Sequence, residues 1–194
     1  ISTSIPGVKI MRATNQRINI NTSNTVTVSL SSNPMLKCLA SIDIIPFAHN
    51  KYNIKSTIGN EILCLDAQNG KASYNTPVIL FPFQSTVQSN QVWDVEYVGN
   101  YYYKIESRID ESFVLSKGRD NADSSALLDL YMDSPTARAK SQKWKFIPND
   151  LGYKLQNKDG ACLNLKSDSN QNLIVDTTGE GLTFTLQKAG VSLE

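Results

Sequence analysis

One histidine and three cysteines stand among the 194 residues of this chain, with 18 carboxylates to act as acids or bases. A serine or cysteine nucleophile is commonly activated by an imidazole, so His49 alone could serve a triad. Pro46 and the stretch Ala48-His49-Asn50 read as a linker, where a histidine is a solvated surface residue. The chain has no Gly-x-Ser-x-Gly, no His-Glu-x-x-His, no glycine loop for phosphates and no paired metal-ligand spacing. Glycoside hydrolysis needs two carboxylates at a set separation, and nothing singles out such a pair. The expectation is a non-enzyme without metal or cofactor. Sugar recognition asks for something else: an aromatic face to stack on the pyranose, a carboxylate to accept from adjacent hydroxyls, and an amide beside it.

The elements that would position such groups repeat three times. Tyr52-Asn53-Ile54-Lys55 returns as Tyr103-Lys104-Ile105-Glu106 and again as Tyr153-Lys154-Leu155-Gln156. Gln91-Val92-Trp93 returns as Gln142-Lys143-Trp144, the same 51 residues on as Tyr52 to Tyr103. Self-similarity at a fixed period marks units that bury their apolar faces only against one another. Each unit opens with an alternating strand. A second strand follows, ending Leu65-Asp66, Leu115-Ser116 or Leu163-Asn164, and then a polar turn. The third strand is Val78-Ile79-Leu80-Phe81, Leu128-Asp129-Leu130-Tyr131 or Leu173-Ile174-Val175-Asp176. The fourth carries Trp93, Trp144 or Phe184. In this reading Asp66 to Leu80 and Ser116 to Leu130 both span 14 residues, and the third unit is trimmed to 11 between Asn164 and Val175.

Short alternating strands broken by Gly, Asn, Asp and Ser clusters are an all-β signature, and no stretch sustains a helical period beyond a couple of turns. Twelve strands in three units predict a β-trefoil over residues 51–190, preceded by a β-rich N-terminal segment, residues 1–50. Within that segment Val8–Ile10, Arg17–Ile20 and Val26–Leu30 alternate as strands. They read as an arm on the trefoil or as the end of a preceding domain.

The bulk numbers agree with a globular domain: 40% hydrophobic, 19% charged, net charge +1. No basic patch stands out, which argues against nucleic acid, and no apolar run approaches the roughly 20 residues of a membrane span. A chain beginning at Ile1 without Met or signal peptide reads as a mature or excised product. Three cysteines allow at most one internal disulfide. Cys64 and Cys162 sit on strands flanked by Leu and Ala, where a thiol behaves as a small hydrophobe. Three reduced structural cysteines is the plainer reading, with pairing of Cys38 to Cys64 or Cys162 left open. Asn21-Thr22-Ser23 fits the glycosylation acceptor pattern.

Repeats of this length with Gln-x-Trp near the end resemble the ricin B-chain type of lectin trefoil. In that family one lobe builds a sugar site from an Asp closing the second strand, an aromatic ending the third, and an Asn just before the Gln. The resemblance implies a carbohydrate site at Asp66, Phe81, Asn90 and Gln91, with Asn69-Gly70 as the turn beneath. Ile79 replaces the polar residue the family often has two before the aromatic. It implies a candidate second site at Ser116, Asp129, Tyr131 and Gln142, where Ser116 replaces the Asp and Ser141 the Asn. The third lobe has Asn164, lacks the aromatic at Asp176, and has Leu182-Thr183-Phe184 in place of Gln-x-Trp; it reads as structural. A bland reading stands beside these: Asp66 caps its turn and Phe81 is core. Gln91 and Trp93 read in either case as structural, since the Gln-x-Trp motif mainly fixes lobe packing.

The resemblance further implies a secreted lectin for galactose-type glycans on cell surfaces, similar to the cell-binding components of multi-part bacterial toxins. One shallow site binds weakly, so avidity within a larger assembly with toxin partner subunits would supply useful affinity. A trefoil that binds protein as an inhibitor or scaffold is the alternative, and the module of an enzyme whose catalytic part lies elsewhere is a third.

Overall fold

The computed structural model describes residues 18–20, 25–28, 42–43 and 47–190, apart from 86–87, 119–123, 134–136, 167–170 and 178–180. The chain divides into two compact units, Ile1–Ala48 and His49–Glu194. In the first, β1 (Ile18–Ile20), β2 (Thr25–Val28) and β3 (Ile42–Asp43) form an antiparallel sheet in that order. Two of the alternating runs thus contain strands, and Ile42–Asp43 adds one that the sequence reading did not assign. Val8–Ile10, Asn21–Ser23, Cys38 and Pro46 lie outside the described residues.

Among the described residues the second unit holds twelve strands in three lobes. Lobe 1 is β4 (Asn50–Ile58), β5 (Glu61–Ala67), β6 (Val78–Pro82) and β7 (Trp93–Gly99). Lobe 2 is β8 (Tyr102–Ser107), β9 (Phe113–Lys117), β10 (Ala126–Leu130) and β11 (Trp144–Asn149). Lobe 3 is β12 (Gly152–Asn157), β13 (Cys162–Leu165), β14 (Leu173–Asp176) and β15 (Thr185–Lys188). The architecture is an all-β trefoil.

First and fourth strands make the barrel. Within each lobe the opening tyrosine pairs with the late aromatic: Tyr52 with Trp93, Tyr103 with Trp144, Tyr153 with Phe184. Between lobes, Val95 pairs with Ile105, Phe146 with Leu155, and Leu186 with Ile54. The last pairing returns lobe 3 to lobe 1, so the ring closes. At Tyr153–Phe184 closure rests on two backbone hydrogen bonds of 2.9 and 2.7 Å. Gly152 permits that approach, since a Cβ there would lie 2.3 Å from the Phe184 carbonyl oxygen.

Second and third strands form three hairpins, which meet at the bridges Pro77–Leu127, Ile79–Asn172 and Ser125–Ile174. Threefold sets of fully buried side chains fill the space between barrel and hairpins: Ile54, Ile105 and Leu155; Leu65, Leu115 and Leu163; Trp93, Trp144 and Phe184. Burial of such side chains stabilises by about 1.5–3 kcal/mol each.

Strand register corrects one equivalence drawn from the sequence. Leu65 pairs with Leu80, Leu115 with Leu128, and Leu163 with Val175. Leu80, Leu128 and Val175 also donate the same inter-hairpin bond, to the carbonyls of Gln171, Thr76 and Ser124. Lobe 2 is therefore two residues shorter than expected at this turn. Asp129, not Tyr131, is the counterpart of Phe81, and Tyr131 answers to Phe83.

Candidate functional site

Asp66 lies one residue before the end of β5, opposite Ile79, and Phe81 stands opposite Cys64. Cross-strand partners share a face of the sheet, as do residues two apart along a strand. Asp66 and Phe81 thus project from one face as diagonal neighbours. A single 3₁₀ turn, Ser89–Gln91, folds over that face. Its position is fixed through the Gln91 carbonyl, which accepts from Asn53 Nδ2 at 2.8 Å and lies 3.6 Å from Cys64 Sγ.

The turn brings two amides to one carboxylate oxygen. Asp66 Oδ2 accepts from Asn90 Nδ2 at 2.8 Å and from Gln91 Nε2 at 3.0 Å. Asp66 Oδ1 accepts no hydrogen bond from the described residues. Asp66 is recessed, only 3% exposed, while Asn90 is half-buried and the Phe81 ring is 40% exposed. Burial pushes the Asp66 carboxyl above its ordinary pKa, against the smaller opposing effect of the two amide donors. Asp66 does not cap the turn that follows it: Gln68–Gly70 has no side-chain cap, and Asn69 and Gly70 take left-handed φ of 60° and 64°.

Gln91 takes the packing role that the motif suggested and not a place among the solvent-facing site residues. It is 1% exposed, and its amide is spent within the protein. Nε2 donates to Pro82 O at 3.1 Å as well as to Asp66, and Oε1 accepts from Gln84 N at 3.0 Å. Gln91 clamps the chain after β6 and orients Asp66; it does not face solvent. Trp93 donates from Nε1 to Leu65 O at 2.8 Å and is wholly buried.

Lobe 2 repeats the clamp without the pocket. Gln142 Nε2 donates to Leu130 O at 2.7 Å, its Oε1 accepts from Met132 N at 2.9 Å, and Trp144 Nε1 donates to Leu115 O at 2.9 Å. The four residues expected to make a second site do not converge on solvent. Ser116, Asp129 and Gln142 are 0% exposed. Ser116 Oγ contacts Ser141 Oγ at 3.0 Å and donates to Lys117 O. Asp129 Oδ1 accepts from Leu130 N at 2.9 Å, and its Oδ2 lies 3.4 Å from Gln142 Nε2. Tyr131 sits half-buried with Lys104 Nζ 5.1 Å from its ring centre. In lobe 3, Asn164 Nδ2 donates to Asp176 Oδ1 at 2.8 Å.

The other reactive groups are quiet. Cys64 and Cys162 are free thiols at equivalent positions, and burial with the nearby Asp66 carboxylate pushes Cys64 up to about 12. His49 is exposed, with Nε2 2.8 Å from Asp94 Oδ1. Sequence reasoning missed Phe83 and Lys55, whose Nζ stands 4.3 Å from the Phe83 ring centre. Their signal was present only as a lobe-1 aromatic two residues beyond Phe81.

Residues 89–178 match the family model described as ricin-type beta-trefoil lectin domain-like. A comparison with curated protein sequences found no match. Among solved structures, a mosquitocidal holotoxin aligns with a TM-score of 0.62 at 19% identity, over 79% of this chain and 19% of that one. The chain thus corresponds to about a fifth of that toxin. The Rhizoctonia solani agglutinin aligns with a TM-score of 0.56 at 12% identity, over 73% of this chain and 96% of the agglutinin. The C-half of the earthworm R-type lectin, in complex with GalNAc, aligns with a TM-score of 0.51 at 15% identity, covering 72% of this chain and 98% of its own. At such identities the likeness carries the fold alone. Residues 89–178 thus resemble a ricin-type β-trefoil lectin domain, and they lie within a second unit that has the β-trefoil fold.

Proposed function

We propose that this chain is a carbohydrate-binding module that holds a galactose-type sugar at lobe 1, and that it acts without catalysis. One observation carries the reading: Asp66 has Oδ2 fixed by Asn90 and Gln91 and Oδ1 uncommitted, diagonal to an exposed Phe81. A carboxylate oriented in this way accepts hydrogen bonds from adjacent sugar hydroxyls, Asn90 adds its amide oxygen, and the Phe81 ring stacks on the apolar face of the pyranose. GalNAc in the structurally similar earthworm lectin supports the galactose type. The likeness to part of a mosquitocidal holotoxin supports a receptor-binding component of a secreted, multi-part toxin, acting on cell-surface glycans.

The test is retention of the chain on immobilised galactosides. Asp66→Ala is expected to weaken binding by tenfold or more, since hydrogen bonds to a charged acceptor contribute about 1.5–3 kcal/mol. The variant is expected to keep its far-UV circular dichroism. Undiminished retention would remove the site assignment. A trefoil serving only as a protein scaffold is the competing reading, favoured by the closed-off polar groups of lobes 2 and 3; it requires that no galactoside binds at all.

A further inference from the structure

The apolar surface beside Asp66 continues past Phe81. Lys55 pairs with Cys64 and Cys64 with Phe81, so three adjacent strands carry these side chains on one face of the sheet, buried at Cys64 and open at Phe81. Two strand spacings, roughly 10 Å, separate the backbones of Lys55 and Phe81. Phe83 N donates to Ile62 O at 3.1 Å, which extends the hairpin and sets Phe83 beside Ile62. Ile62 is 54% exposed. Lys55 reaches over the Phe83 ring and donates to Gln187 Oε1, yet no carboxylate of the described residues pairs with it.

The equivalent ring in lobe 2 is treated differently. Lys104, beside Tyr131, is neutralised by Glu96 at 2.7 Å and Glu106 at 2.9 Å. Two lobes therefore place an ammonium over the same ring position, and only lobe 1 leaves that charge without an anion.

We propose that lobe 1 holds two adjoining sugars, the second resting on Phe83 and Ile62 with an anionic group against Lys55 Nζ. The ligand class is an acidic galactoside whose neighbouring position bears a carboxylate or a sulfate ester. This rests on the reading of Asp66, Asn90 and Phe81 as the site of the first sugar.

The experiment is calorimetric titration of the full chain at low salt with a neutral galactoside disaccharide, its sialylated form and its sulfated form. One or both acidic forms are expected to bind about three- to fivefold tighter than the neutral one, the range of a partly exposed ion pair. Which of the two does so identifies the anion. Lys55→Gln is expected to lower the acidic ligand to the neutral value while neutral binding stays as it was. Equal affinity for all three sugars, or a preference that survives in Lys55→Gln, overturns the proposal and leaves the first-sugar site standing. Failure of every galactoside to bind overturns both.

Discussion

Lobes 1 and 2 share a frame and differ in what the frame displays. In both, a glutamine bonds the last carbonyl of the third strand and the amide two residues on, and a tryptophan bonds the second strand from inside the core. In lobe 1 that frame holds a recessed carboxylate with one free oxygen next to an exposed ring. In lobe 2 the same positions hold two serines bonded to each other and a buried aspartate that accepts from the Leu130 amide and from Gln142. The polar surface can thus be exchanged without disturbing the clamp. The glutamine and tryptophan therefore belong to folding, and in the proposed function ligand recognition would rest on Asp66, Asn90 and Phe81.

The strongest way to break this comparison is to strike the shared frame. Trp93→Ala and Trp144→Ala are each expected to cost about 3–5 kcal/mol in denaturant unfolding, since each empties a fully buried site and leaves a backbone carbonyl unbonded. Near-equal losses would show that the two lobes carry equivalent structural roles. A loss confined to Trp93 would show that the frame is not common to both.

A smaller effect separates the lobes. Phe81→Ala is expected to weaken galactoside binding by about three- to tenfold, the range of a lost stacking contact of about 0.5–1.5 kcal/mol. Tyr131→Ala, at the ring of the lobe without a pocket, is expected to leave binding unchanged. Equal losses in a binding assay would mean that lobe 2 also meets the ligand.

The most modest effect is on pH. Because burial raises the Asp66 carboxyl, the folded chain takes up that proton above the ordinary carboxylate pKa of about 3.9. Galactoside retention should fall as pH drops through this raised value, when the acceptor is discharged. Stability moves the other way: a raised folded-state pKa means that this group's contribution is greatest below its unfolded pKa and declines as pH rises through the folded one. Ser116 cannot titrate, so a Ser116→Ala variant should keep the wild-type pH profile. Retention that is flat into the range below pH 4 would contradict the role of the ionised Asp66.

Part of the molecule was legible because repetition is written in residue types. Tyr52, Tyr103 and Tyr153 marked the first strands, and Trp93, Trp144 and Phe184 their partners; the pairings follow these marks. Asp66 and Asn90 were legible as members of one lobe, and the 3₁₀ turn brings them to 2.8 Å. The third strand of lobe 2 was misread for a physical reason. Leu128-Asp129-Leu130 alternates with the period of a strand, so a slip of two residues keeps every side chain on its own face. Hydrophobic pattern is blind to such a slip. The Leu115–Leu128 pairing and the Gln142 clamp decide it, and with it the burial of Asp129.

By itself the sequence determined the number of lobes, the strand order and the aromatic positions of the core, because these depend on residue type and spacing along one chain. The folded chain alone shows which oxygen of Asp66 accepts the two amides, which backbone groups Gln91 clamps, and that Lys55 lacks among the described residues the acid partners Lys104 has. Each of those depends on side chains far apart in sequence arriving at one point, and a closed barrel sets that distance where residue spacing does not.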